Sequence, residues 1–305
     1  MSIGPVLAFP ASGITFLPRC QPRAAFYPPA GSKPAGGWRR QPRVTGRGQS
    51  ARIGADSRHL RRSAVLLVAS VGNTNIRLGA FEAGDEPAFV RAVPVERLAT
   101  LEAPAGPIEA LVLGSVNPGA AARLREWARE RLGCPVLELR AELPVPLSFA
   151  CEDPSRIGAD RVANALAVHR RTGRGGIAVD FGTALNLVAV SPEGEFVGGA
   201  IAPGLAMSAR ALHGDTALLP LVDPSAAAPA LSCRTEDAIA AGLLWGLGGM
   251  ADRLIERLGE RWPGCPVLAT GGDAPTLVPF CRRVHALAPH LTLEGLRHAY
   301  LRRPR

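Results

Sequence analysis

Two stretches of the chain carry the same punctuation, and together they restrict its architecture more than any other feature. Residues 65–81, VLLVASVGNTNIRLGAF, and 177–190, IAVDFGTALNLVAV, each run apolar, break into a Gly-bearing polar turn and resume with apolar residues. The pattern predicts a strand, a tight turn and an antiparallel partner strand. Such a hairpin cannot bury its apolar face alone, so each requires a helical layer. The intervening sequence supplies one: 110–119 reads as a strand ending in a turn, 121–133 as an amphipathic helix stopped by Gly133, and 134–139 as a further strand. The cycle then repeats, with a helix over 160–173, strands over 176–204, a long Gly-tolerant helix over 236–262, a strand and Gly-Gly turn over 266–275 and a closing helix over 291–301. The expected fold is α/β, with two duplicated halves, 64–170 and 171–305, and a cleft where their turns face each other.

Charge separates the first 63 residues from the rest. The formal net charge is +9, yet residues 1–63 hold eleven basic residues and one acid, which leaves 24 basic against 25 acidic residues in the body. A basic surface for nucleic acid is therefore not expected on the body. The leading segment is rich in Pro, Gly, Arg and Ser, shows no apolar period and is expected to be disordered. Three readings of it stand open: a start-site artefact, a flexible arm and a targeting segment.

Several chemistries are excluded by composition. The single lysine, Lys33, lies outside the body, which removes a P-loop lysine, a Schiff-base lysine and a protein-kinase phosphate clamp. Six cysteines without a CxxC pair point to reduced thiols and a cytoplasmic setting, and no apolar run reaches the length of a membrane span. Six histidines show no metal-binding spacing, so His169 and His213 read as packing or surface residues. Any phosphoryl chemistry here must rest on backbone N–H groups, arginine, hydroxyls and metal.

The second hairpin supplies such groups. Asp180 stands at a strand end, Gly182 lets backbone approach a ligand closely, and Thr183 offers a hydroxyl and an N–H to phosphate. Taken alone, Asp-x-Gly-Thr is equally a β-turn. Upstream, Asp160 opens an amphipathic helix, either as its N-cap or as a general base able to accept a hydroxyl proton, and Arg161 beside it offers a bidentate fork to a carboxylate.

The ordered set GNTN (72–75), GADR (158–161), DFGT (180–183), GGAIAPG (198–204), TEDAIAAG (235–242) and ATGG (269–272) resembles the type III pantothenate kinases over about residues 65–297. The resemblance implies two ribonuclease-H-like domains clasping ATP, as in the sugar kinase, actin and chaperone ATPase superfamily. The implied activity is ATP-dependent phosphorylation of pantothenate, the entry step of coenzyme A synthesis, with Mg2+ and a monovalent cation, K+ or NH4+, in a homodimer. Residue by residue it implies phosphate binding by Gly72, Asn73, Thr74 and Asn75 with Ser70 at the preceding strand end. It implies pantothenate binding by Gly158, Ala159 and Arg161, and Asp160 as the base. Asp180 would hold the monovalent cation, Gly182 and Thr183 would meet ATP, Thr235 would meet pantothenate, and Gly271 and Gly272 would lie by the adenosine.

Four positions depart from that pattern. Ser70 replaces an aspartate that serves the magnesium of Mg-ATP, and Cys151 replaces a tyrosine of the pantothenate pocket. Asn186 and Val188 stand where Thr and Asp are usual. Two functions therefore compete: an active kinase, and an impaired relative kept for ligand binding or as a transcription accessory protein.

Overall fold

A computed structural model describes Thr15–Phe16 and residues 65–304 apart from 83, 105 and 225–228. The disorder expected over 1–63 falls, but for that pair, outside the described residues. The strand β1, Thr15–Phe16, pairs antiparallel with β12, Ala286–Leu287.

The first sheet grows from the first hairpin. Strands β2 (Val65–Val71) and β3 (Asn75–Phe81) pair antiparallel, and β4 (Phe89–Pro94) extends the meander on one side. On the other side β5 (Ile108–Ser115) and β6 (Val136–Glu138) add in parallel, with helix α1 (Pro118–Arg131) as the crossover. Asn117 caps α1 by accepting a hydrogen bond from the Ala120 N–H at 3.0 Å, and Pro118 fits its first turn. The short β7 (Ser148–Phe149) belongs to the second sheet, and helix α2 (Ala159–Thr172) follows. Gly173, at φ 65°, stops α2 in the left-handed conformation glycine tolerates.

The second sheet repeats the first. Strands β8 (Gly176–Phe181), β9 (Ala184–Val190) and β10 (Glu195–Pro203) form an antiparallel trio, and β11 (Val267–Thr270) and β12 add in parallel beyond β8. The strand orders β4-β3-β2-β5-β6 and β10-β9-β8-β11-β12 match in sequence and direction. Helices α3 (Leu205–Gly214) and α4 (Thr235–Gly259) cover one face of this sheet, α5 (Ala274–Leu277) is a single turn after β11, and α6 (Leu291–Leu301) closes the chain. By length and composition α4 would cross a bilayer, which the sequence reading did not expect of any segment; half of that apolar window is buried within the fold, as suits a core helix.

The expected boundary at residue 170 falls within helix α2, which packs on both sheets. Helix α2 is buried on two sides: Val162, Ala163 and Leu166 pack on Leu66, Val68 and Val112 of the first sheet, and Ala165 and Val168 pack on Ala178, Val188 and Val190 of the second. Helix α6, which follows the second sheet, lays Leu293, Leu296 and Ala299 into the first cluster and Leu291 into the other. The pair forms a wedge between two sheets. Its closeness depends on Gly295, where an added Cβ would overlap the backbone carbonyl of Ala163. Arg171 locks the crossing with two hydrogen bonds to Glu294, at 2.5 and 2.6 Å, with both side chains largely withdrawn from solvent.

Gly295→Ala is accordingly expected to destabilise the protein by about 1–3 kcal/mol in chemical denaturation, the usual penalty of overpacking. Gly119→Ala, in the first turn of α1 with nothing closer than 3.7 Å to the new methyl, is expected to change stability by less than about 1 kcal/mol. Equal responses at the two sites would show that the α2–α6 contact is not tight.

Candidate functional site

Both hairpins end in turns that face the same cleft. In the first, the Gly72 N–H donates to the Asn75 carbonyl at 2.9 Å, and Asn73 and Thr74 form the exposed tip. In the second, the Gly182 N–H donates to the Ala184 carbonyl at 3.2 Å. The tips meet: Thr74 Oγ1 lies 3.2 Å from Thr183 Oγ1, although 109 positions separate them. Two hydroxyl-bearing, glycine-flanked turns thus converge on one point, as a phosphate cradle requires.

Asp180 stands one residue before the end of β8, between Thr270 of β11 and Asn186 of β9 in register. Its Oδ2 accepts from Asn164 Nδ2 at 3.1 Å. Its Oδ1 lies against glycine: a Cβ on Gly271 would stand 2.6 Å from it and one on Gly182 3.3 Å from it. Gly271, at φ 99°, also presses on the Phe181 carbonyl, which accepts the Asp273 N–H at 2.9 Å. Gly204 crowds the carbonyls of Gly182 and Thr183 in the same way. The motifs DFGT, APG and ATGG are therefore one structural unit, with glycine where the backbones touch. Gly272 is exposed beside it.

Asp160 lies in the first turn of α2. The helix N-cap is Gly158, which excludes the alternative reading of Asp160 as the cap. Glycine is needed there because a Cβ would come within 2.5 Å of Asp160 Oδ1. That oxygen accepts the Arg161 N–H at 2.7 Å, and Ala159 leads in at a half-buried position. Burial pushes the Asp160 carboxyl above its usual range, against the opposing pull of Arg161. Asp180 is pushed up to about 6 by burial and by the Asp160 charge, which the Asn164 hydrogen bond and Arg77 partly offset. Two carboxylates that feel each other in a cleft are suited to different tasks, one taking a proton and the other a cation. Asp180 Oδ1 in its glycine cradle fits a hard cation, since carboxylate and main-chain oxygens are the donors such ions choose.

Arg161 is half-buried with its guanidinium 5.6 Å from the centre of the Phe196 ring, and its Nε is buried without a hydrogen-bond partner. Cys151 is exposed in the approach to α2, within electrostatic range of both Arg161 and Arg140. Arg140 holds that approach from below, donating to the carbonyls of Ser155, at 3.0 Å, and Ile157 from a backbone at φ 73°. Thr235 opens α4 at an exposed position, and among the described residues no hydrogen bond joins it to Asp160 or Asp180. Ser70 is half-buried on β2 and pairs in register with Arg77 of β3, so the two side chains share a face of the sheet. Val188 is fully buried in the core under α2.

Sequence reasoning missed Arg77, Asn164, Thr292 and Arg140. Arg77 donates to the Pro289 carbonyl at 3.1 Å and its charge reaches Asp180. Asn164 had a legible signal: it is the one amide in the apolar run 162–168, one helical turn beyond Asp160. Thr292 and Arg140 had none, since they act through contacts distant in sequence.

The comparisons with known proteins agree with this arrangement. The family model described as type III pantothenate kinase matches residues 66–257. The chain belongs to the type III pantothenate kinase family. A relative of that name from Acidiphilium cryptum is 40% identical over 202 residues, covering 66% of this chain and 76% of the relative. Another from Syntrophotalea carbinolica is 34% identical over 255 residues, covering 78% and 99%. Among solved structures, one titled a conserved putative Baf family transcriptional activator from Campylobacter jejuni shares the fold, with a TM-score of 0.54 at 18% identity over 77% of this chain and 97% of that one.

Asp180 makes a pH prediction. Its carboxyl ionises near 3.8 when unfolded and near 6 when folded, so the folded state binds more protons between those values. Stability contributed by this group therefore falls as pH rises from about 4 to about 6, and the penalty is complete above that range. Asp180→Asn, melted without added metal ions, is expected to be more stable than wild type at pH 8 and nearly equal at pH 4. A gain of the same size at both pH values would contradict the raised ionisation.

Proposed function

We propose that the cleft transfers the γ-phosphoryl group of ATP to the primary hydroxyl of pantothenate. Family membership sets the reaction, and the observation that carries it to this chain's own residues is the convergence of the Thr74 and Thr183 turns beside the coupled Asp160–Asp180 pair. The N–H groups and hydroxyls of Gly72–Asn75 and Gly182–Thr183 hold the phosphates, and Gly271 and Gly272 border the adenosine. Arg161 binds the substrate carboxylate, with Ala159 and Cys151 flanking it. Asp160 accepts the hydroxyl proton as oxygen bonds to phosphorus and the bond to the ADP oxygen breaks. Its raised ionisation makes it a better proton acceptor than an ordinary carboxylate.

Asp180 would hold a monovalent cation, K+ or NH4+, through Oδ1. Magnesium, which neutralises charge on the transferring phosphates, has no carboxylate at position 70; Ser70 can order only a water on it, and Arg77 across the strand pair supplies positive charge to the same face. The serine also keeps a second reading in play, an impaired relative serving as a ligand-binding or transcription accessory protein. We place the protein in the cytoplasm as a homodimer. Helix α4 carries Trp245, 49% exposed, and Met250, 40% exposed, on its outer side. Gly242, Gly246 and Gly249 there leave room for a second backbone, and Thr235 at its start would reach pantothenate across the two-fold axis.

With ADP formation as the readout, Asp160→Asn is expected to lower turnover at least ~10²-fold while ATP binding persists. Unchanged turnover would remove Asp160 as the base. Ser70→Asp is expected to raise turnover or tighten Mg-ATP, and a harmful effect would mean the cleft is rebuilt around serine. Sedimentation at micromolar concentration should give twice the protomer mass; a monomer would remove the role of Thr235.

A further inference from the structure

Few polar side chains are buried among the described residues, and Asn164, 1% exposed, uses both ends of its amide. Nδ2 donates to Asp180 Oδ2 at 3.1 Å, and Oδ1 accepts from Thr292 Oγ1 at 2.8 Å. An ionised carboxylate has no hydrogen to give, so only one amide orientation serves Asp180. The reversed amide would set two acceptors face to face. Thr292 reinforces the productive orientation by giving its hydroxyl hydrogen to Oδ1. The relay starts in the first turn of α6, crosses α2 one turn beyond Asp160 and ends at the tip of β8.

Its consequence falls on the other oxygen of Asp180. With Oδ2 held, Oδ1 is turned toward Gly182 and Gly271, neither of which carries a side chain to cover it. An unheld carboxylate would rotate about its terminal torsion, which is broad, and divide its time between orientations.

We propose that Asn164, oriented by Thr292, is a positioning residue that pins one oxygen of Asp180 so that the other is presented to the glycine-lined cradle of a hard cation. The proposal rests on the reading of Asp180 as a cation ligand. It makes the closing helix part of the phosphoryl-transfer site through the Thr292 hydroxyl, which acts by way of Asn164.

The test compares Thr292→Ala with Thr292→Ser, which differ from each other by one hydroxyl. Melting temperature is followed as KCl replaces tetramethylammonium chloride at constant ionic strength, alongside steady-state kinetics. Thr292→Ser is expected to keep the wild-type K+ midpoint and kcat. Thr292→Ala is expected to need roughly tenfold more K+, the scale set by losing one hydrogen bond, and to lose kcat with the KM for pantothenate within about twofold. Serine and alanine variants that behave alike, both intact or both impaired, would overturn the positioning role, because the hydroxyl would then be irrelevant. A wild type indifferent to K+ in melting and turnover alike would remove the cation reading beneath it, whereas a responsive wild type with an unchanged alanine variant would remove the positioning role alone.

Discussion

The approach of α6 to α2 at Gly295 and Ala163 is the contact on which the molecule turns. Neither sheet covers its own inner face; the same helix pair covers both, so the first and second clusters share a wall. A helix buried on two sides must be apolar over most of its circumference and slim enough to fit, and the run Val162–Val168 meets both demands with three alanines. Because Asp160 and Asn164 ride on α2, and Thr292 on α6, packing between the sheets also fixes the groups at the cleft. Stability and site geometry are here one problem, since a shift of the wedge moves Asp160, the Asn164 amide and the Thr292 hydroxyl together.

Within the cleft the important contrast is between neighbours of like charge. Burial raises the cost of ionising both Asp160 and Asp180, the Asp160 charge adds to it at Asp180, and each is relieved differently: the first by the Arg161 N–H and charge, the second by an amide and the more distant Arg77. A cation beside Asp180 would relieve the remainder, so cation binding and deprotonation are linked at that carboxylate. Ser70 belongs to the same balance. An aspartate there would share a sheet face with Arg77 and bring a third negative group toward the cleft; serine leaves Arg77 facing fewer acids. Val188 tells a different story, for it fills the core beneath α2 and takes no part in the cleft chemistry.

Much of the fold was legible because periodicity and punctuation agreed. The hairpins at 65–81 and 176–190, the helices read over 121–133 and 160–173, which begin three residues and one residue earlier, at Pro118 and Ala159, and the turn at Gly271 all carry local signals of period or glycine. Strand β4, FVRAVP, was missed because its apolar residues, broken once by Arg91, show no alternation and lie largely exposed on a sheet edge, and α3 because APGLAM follows a strand without a capping side chain. The placement of α6 was illegible for another reason: an amphipathic helix says which face is buried but not against which sheet. The glycines of the cleft were readable as glycines, whereas their purpose required the backbones they touch. Whether Gly158 or Asp160 caps α2 likewise depended on where one carboxylate points.

The contact between Thr74 and Thr183 bears on how the cleft admits its ligands. A single neutral hydroxyl pair joins the two tips, and such a bond is worth about 1 kcal/mol at an exposed site. Behind it, the wedge and the Arg171–Glu294 clasp hold the sheets far more firmly. Parting the tips thus sacrifices little, and a triphosphate bound between them as proposed would exchange one hydroxyl contact for several charge-assisted ones from the same two turns.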